Sequence, residues 1–208
     1  VKKGILITLE GNEGCGKSTQ IKLLCGYLKK QGRRVYLTRE PGGTAIGDGI
    51  RRLLLDNKHA RMSPECETLL YMASRAQLVS EGVAPRLKKG DIVLCDRWLD
   101  ATLAYQGYGA GVDLEWIRRL GRNATQGIVP RLSIYLDLPV ELGLLRARRR
   151  HKADRMEKKQ LAFHRKVRRG YLKIAAAAPR RFKRLPIGGQ DSVIAVHEKI
   201  KRLVRNVL

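Results

Sequence analysis

The chain has 208 residues and a formal net charge of +24, from 43 Lys and Arg against 19 Asp and Glu. Its length and its 43% apolar share suit one domain with a full core and argue against disorder, and no apolar run approaches the ~20 residues of a membrane span. The charge leaves two classes of partner open: a nucleic-acid backbone tracked by a basic face, or small polyphosphates bound by a protein with a generally basic surface.

Ile5-Leu6-Ile7-Thr8-Leu9 is a short apolar run of β-forming residues and predicts a buried parallel strand. Because the chain enters this strand at once, no signal peptide is expected. Gly11-Asn12-Glu13-Gly14-Cys15-Gly16-Lys17-Ser18-Thr19 follows, a complete G-x-x-x-x-G-K-[ST] phosphate loop. Its glycines let backbone N–H groups converge on a phosphate, Lys17 suits the β- and γ-phosphates of a nucleoside triphosphate, and Ser18 suits Mg²⁺. Ile21, Leu24, Cys25 and Leu28 then recur at helical spacing up to Gln31-Gly32. Strand, glycine loop and helix together aim a helix N-terminus at an anion.

Arg34–Thr38 predicts a second strand, ending at Arg39-Glu40-Pro41-Gly42-Gly43-Thr44, with Thr44 as cap of a helix that carries Ile50, Leu53, Leu54 and Leu55. Pro64–Lys88 reads as one long helix and Ile92–Cys95 as a third strand, terminating at Asp96-Arg97. Gly107 to Gly111 reads as a Gly-rich loop before a helix over Asp113–Ala124. Leu132–Leu136 is the fourth strand, ending at Asp137, and Pro139 opens a helix to about Arg149. The charged stretch His151–Lys159 predicts an exposed, mobile segment. A helix to about Ala178, an edge-like basic strand over Phe182–Ile187 and a helix over Ser192–Val207 complete the chain.

Strands alternating with helices imply parallel β-α-β units, hence an α/β fold of the P-loop NTPase type: three layers around a parallel sheet of about five strands. Ligands then bind beyond the C-terminal strand ends, where Glu10, Arg39, Glu40, Asp96, Arg97 and Asp137 would share one rim. Cys15, Cys25, Cys66 and Cys95 show no paired C-x-x-C spacing, so reduced thiols and a cytoplasmic protein are expected. The densest cations, Arg146 to Arg184, have few aromatics among them to stack on bases. No specific nucleic-acid partner is expected, although non-specific adhesion to RNA is.

Three further segments resemble the thymidylate kinase family: Thr38-Arg39-Glu40-Pro41-Gly42-Gly43-Thr44, Asp96-Arg97-Trp98 through Ala104-Tyr105-Gln106-Gly107, and Asp154-Arg155-Met156-Glu157. They occur in family order behind the phosphate loop and span nearly the whole chain. The resemblance implies transfer of the γ-phosphate of ATP to dTMP, with Mg²⁺, by a single domain that forms a homodimer and closes a lid over residues ~148–160. It implies that Arg97 clamps the acceptor phosphate, that Glu13 and Glu40 hold the monophosphate and the Mg²⁺/water network, and that Asp96 lies beside the metal. Tyr71 would stack on thymine, Arg75 would donate to its O4, Thr102 would bond the pyrimidine edge, Gln106 would line the same site and Tyr105 would sit against the sugar.

The chain departs from the common pattern at Tyr71, where Phe is usual, and at Ala101, where Ser is usual. Its phosphate loop carries Gly14 and no Arg, so a cation must come from the lid. Among Arg146, Arg148, Arg149, Arg150 and Arg155, the choices are Arg155 and Arg148. The alternatives are another nucleotide or nucleoside kinase of this fold and, from a different class, a nucleic-acid-binding ATPase.

Overall fold

All five expected strands form in a computed structural model that describes residues 4–149 and 153–208. They are β1 (Ile5–Glu10), β2 (Val35–Arg39), β3 (Ile92–Asp96), β4 (Leu132–Asp137) and β5 (Phe182–Pro186). Every pairing is parallel and the order is β2-β3-β1-β4-β5. The basic β5 lies at an edge, as its composition predicts, and β1 lies at the centre. The chain builds β2 and β3 on one side of β1 and then crosses to β4 and β5 on the other. That reversal opens a crevice at the C-terminal end of β1, where the phosphate loop begins.

The two-residue period of the strands separates two apolar faces. Ile7, Leu9, Leu94, Ile134 and Leu136 pack against α1 (Lys17–Lys30) and α9 (Val193–Arg205) through Ile21, Leu24, Val196 and Ile200. Leu6, Val93 and Cys95 face the opposite way, onto α3 (Pro64–Leu78) and the turns after it. Tyr135 and Phe182 meet α8 (Leu161–Ala177) there. The remaining helices are α2 (Ala45–Leu55), α4 (Ala84–Lys88), α5 (Leu99–Thr102), α6 (Leu114–Ala124) and α7 (Val140–Arg148). Thr44 caps α2 through the N–H of Gly47, as expected.

Three expectations are revised. The helix expected over Pro64–Lys88 is interrupted at Val79–Val83 by a π-turn. The stretch from Gly107, expected to be a loop, is instead the end of a π-helix over Leu103–Gly109. Its glycines serve close packing: a Cβ on Gly107 would lie 2.4 Å from Leu114, and one on Gly109 would lie 2.8 Å from the ring of Phe163. The third is the segment expected to be exposed after His151. His151, Arg150 and Lys152 lie outside the described residues, but Arg155, Met156 and Glu157 are buried. Asn57 Nδ2 donates to Ala153 O, and the Arg155 N–H donates to Leu55 O, which pins the segment to the end of α2. Among the described residues, no helix is long and apolar enough to cross a membrane, and all four cysteines are free.

Candidate active site

The phosphate loop joins β1 to α1, and its geometry is fixed by backbone approach. Gly14 has φ of 66°, and a Cβ there would lie 2.0 Å from the carbonyl oxygen of Gly143 in α7. The close approach is reciprocal, since a Cβ on Gly143 would lie 2.4 Å from Glu13 O. Position 14 therefore excludes any side chain, and the missing loop arginine is a steric consequence of how α7 packs. Lys17 opens α1 and donates through Nζ to Gly11 O (2.8 Å) and Asn12 O (2.9 Å), which holds its ammonium against the loop. Gly11, Asn12, Cys15, Gly16 and Thr19 build the loop and the first helical turn, while Glu13, Gly14, Lys17 and Ser18 face a cavity of about 410 Å³.

That cavity runs from the loop to α3 and the π-helix. Tyr71 and Arg75, four apart on α3, both line it, as does the set Trp98, Ala101, Thr102, Tyr105 and Gln106. Arg75 is 1% exposed and donates to Glu40 Oε2 from Nε (2.8 Å) and Nη2 (2.6 Å), with Nη2 also 3.0 Å from Thr102 Oγ1. Burial raises the Glu40 pKa against the opposing charge of Arg75, and its Oε1 is buried without a partner. A lining carboxylate with one free oxygen is suited to a ligand donor or a metal-bound water.

Arg97 follows β3 and is one of two non-glycine residues with positive φ among those described, at 75°. This backbone turns its guanidinium under the loop, where Nη1 donates to Gly11 O (2.8 Å), Nη2 lies 3.4 Å from Glu13 Oε1, and the carbon centre sits 5.0 Å above the Tyr105 ring. Tyr105 Oη donates to Glu13 Oε1 at 2.6 Å, and His164 Nδ1 lies 3.3 Å from Glu13 Oε2. Burial alone would raise the Glu13 pKa, but contact with His164 and the charges of Arg97 and Lys17 outweigh it and hold the group at about 2. Glu13 is thus an anion tied to two lining residues, Arg97 and Tyr105, and to the buried His164.

Ser18 Oγ donates to Asp96 Oδ2 at 3.0 Å at the loop end of the cavity. This hydroxyl–carboxylate pair is the hard-oxygen donor set that suits Mg²⁺. No cluster of three or more His, Cys, Asp or Glu able to hold a metal occurs among the described residues.

A family model for thymidylate kinase matches residues 9–200. The chain belongs to the thymidylate kinase family. It is 46% identical over 212 residues to the thymidylate kinase of Geobacter sp. (strain M21), covering 98% of this chain and 94% of that one. It is 44% identical over 206 residues to that of Thermoanaerobacter sp. (strain X514), covering 99% and 100%. The crystal structure of thymidylate kinase from Ehrlichia chaffeensis superimposes with a TM-score of 0.77 at 29% identity, covering 97% of this chain and 99% of that one.

Against that family background, the sequence-predicted site residues fall into two groups. Glu13, Lys17, Ser18, Glu40, Tyr71, Arg75, Asp96, Arg97, Thr102, Tyr105 and Gln106 converge on one cavity. Arg148 and Arg155 do not line it. Arg148 is exposed at the last turn of α7. Arg155, expected in a mobile lid and reaching phosphates, is 4% exposed; its Nε donates to Leu54 O (2.7 Å) and its Nη2 pairs with Glu67 Oε2 at 2.5 Å. The buried carboxylate of Glu67 draws the guanidinium inward, which a count of charges along the segment does not reveal. Of two further lining cations, Arg39 was expected on the rim but given no role there, and Arg51 escaped the sequence reading. Arg51 donates to Pro41 O (2.9 Å) and has no ion-pair partner among the described residues; burial, then the charge of Arg39, lowers its pKa. Arg51 stands beside Arg52 on a mixed helix, so only the folded backbone separates the cavity residue from the surface one.

Proposed function

We propose that the chain moves the γ-phosphoryl group of ATP onto dTMP, giving dTDP for dTTP synthesis, within this cavity. The carrying observation is its continuity: a phosphate loop with Lys17 and Ser18 at one end, and a ring, a guanidinium and two polar side chains of a base site at the other. Membership of the family supplies the reaction, ATP-dependent phosphorylation of dTMP.

The acceptor phosphate, with second pKa ≈ 6, is mostly dianionic at neutral pH and needs no general base. The barrier is repulsion between two polyanions, so the chain's task is alignment and charge neutralisation. Lys17 draws in the donor phosphates. Arg97, flanked by Arg51 and Arg39, holds the acceptor phosphate in line. Glu13 fixes Arg97 and the Tyr105 hydroxyl, and Tyr105 fills the space beside the sugar. Tyr71 stacks on the base, while Arg75 and Thr102 address its polar edge. Ser18 and Asp96, with Glu40 behind them, would hold Mg²⁺, which would supply positive charge to the phosphates.

Arg148 supplies the lid's donor-side cation, and residues ~148–160 form the part that excludes water. The whole chain works as one cytoplasmic kinase unit and as a homodimer; Ile46, Leu53 and Leu69, exposed on α2 and α3, support an interface there.

An acceptor panel with ATP-Mg²⁺ tests the reading. The expected order places dTMP first and dUMP within roughly 10–200-fold, because a methyl contributes only about 1–3 kcal/mol of discrimination. Equal use of dTMP and dCMP would overturn the base-site assignment. Stimulation of ATP turnover by nucleic acid, with none by dTMP, would replace the kinase reading altogether.

A further inference from the structure

Gln106 is 1% exposed and lines the base end of the cavity. An amide presents a donor at one end and an acceptor at the other, so its orientation decides what it reads. Here Nε2 lies 2.7 Å from Oε1 of Glu67, a carboxylate on α3 that is 3% exposed. The reversed amide would set two acceptor oxygens at that distance, which the pair cannot tolerate. The second oxygen of Glu67 is covered by the Arg155 guanidinium, charge against charge. Arg155 is itself fixed by the carbonyl of Leu54 and by its own N–H on the carbonyl of Leu55. The run from α2 through Arg155 and Glu67 to Gln106 is therefore buried throughout and has one consistent polarity. None of the described residues donates to Gln106 Oε1, which leaves an acceptor for the cavity.

We infer that Glu67, held in place by Arg155, is a positioning residue that locks the Gln106 amide with its carbonyl oxygen toward the acceptor base, selecting bases whose ring nitrogen carries a hydrogen. Thymine and uracil present such an N–H; cytosine presents a bare ring nitrogen, which would oppose the Gln106 oxygen. A site built to pair with an N–H discriminates strongly against an analogue lacking it, because the buried acceptor is left unpaired. Arg155 thereby has a defined place in the molecule away from the phosphates.

The inference rests on the proposed acceptor site, and one experiment separates the two. The ratio of kcat/KM for dTMP to that for dCMP is measured for the wild-type chain, for Glu67→Gln and for the double variant Glu67→Gln with Arg155→Met, which removes both buried charges and so guards against loss of folding in the single variant. In the variants residue 67 offers a donor as well as an acceptor, and the Gln106 amide is free to reverse. The expected result is a ratio at least tenfold smaller than in the wild-type chain, with the KM for ATP unchanged. A merely structural role would lower both acceptors alike; a preserved ratio in a folded, less active variant would overturn the inference. A wild-type chain with no preference for dTMP over dCMP would instead overturn the base site itself.

Discussion

Arg97 carries the sharpest conflict between local preference and function. A non-glycine residue in the left-handed region loses roughly 1 kcal/mol or more to contact of its Cβ with the backbone, yet Arg97 adopts φ of 75°. What holds it there is the fit of its guanidinium between Gly11 O, Glu13 and the Tyr105 ring. Glycine and alanine at this position should separate the two effects. Both variants should lose roughly 100-fold or more in turnover, by removal of the cation proposed to hold the acceptor phosphate. Arg97→Gly should nevertheless be about 1 kcal/mol more stable than Arg97→Ala, read as a higher denaturant midpoint at equal slope. Equal stabilities would show that the backbone is unstrained there. The sequence already singled out Arg97, because it follows an apolar strand in a family segment. Arg51 lacked any such marker: its neighbour Arg52 is chemically the same, and only the placement of α2 over Pro41 O tells them apart.

At the level of elements, glycine was the least transparent residue. Gly107 and Gly109 resemble loop punctuation, but in the structure Gly107 lets α6 and Gly109 lets α8 approach the π-helix, and Gly170 on α8 completes the second contact, since a Cβ there would lie 2.7 Å from Tyr108. In the middle of a helix Gly→Ala ordinarily adds about 1 kcal/mol of stability, whereas overpacking removes about 1–3 kcal/mol. Gly170→Ala should therefore be destabilising, while Gly26→Ala in α1, where nothing lies within 4 Å of a new Cβ, should be stabilising. Thermal melts of both variants check the opposite signs. The strands, by contrast, were readable because each is a compact apolar run, and β5 declared itself an edge through Lys183 and Arg184. The segment at Arg155 was misread for the converse reason. Its charges signal exposure, and their burial depends on Glu67, a residue 88 positions away that local pattern cannot connect.

Taken whole, the molecule is strongly basic, with a formal net charge of +24. No Asp or Glu occurs between Glu157 and Asp191. Along this stretch Lys158, Lys159, Lys166, Arg169 and Lys173 have no ion-pair partner among the described residues and line two shallow hollows that share Lys166 and Gly109. Such a face should hold single-stranded RNA without sequence preference and release it as salt rises. Replacing Lys166, Arg169 and Lys173 together by alanine should flatten the slope of log K against log salt by roughly 2, at ~0.7 per cation removed. A titration at several salt concentrations measures this, and an unchanged slope would move the contact elsewhere. The crowding of Gly14 against Gly143 bears on how this kind of site is able to change. No single replacement can put a cation into the phosphate loop at position 14, because every side chain there strikes the backbone of α7. A loop cation at that position therefore needs a second change that moves α7 away, and a library of single substitutions, however deep, would not supply it.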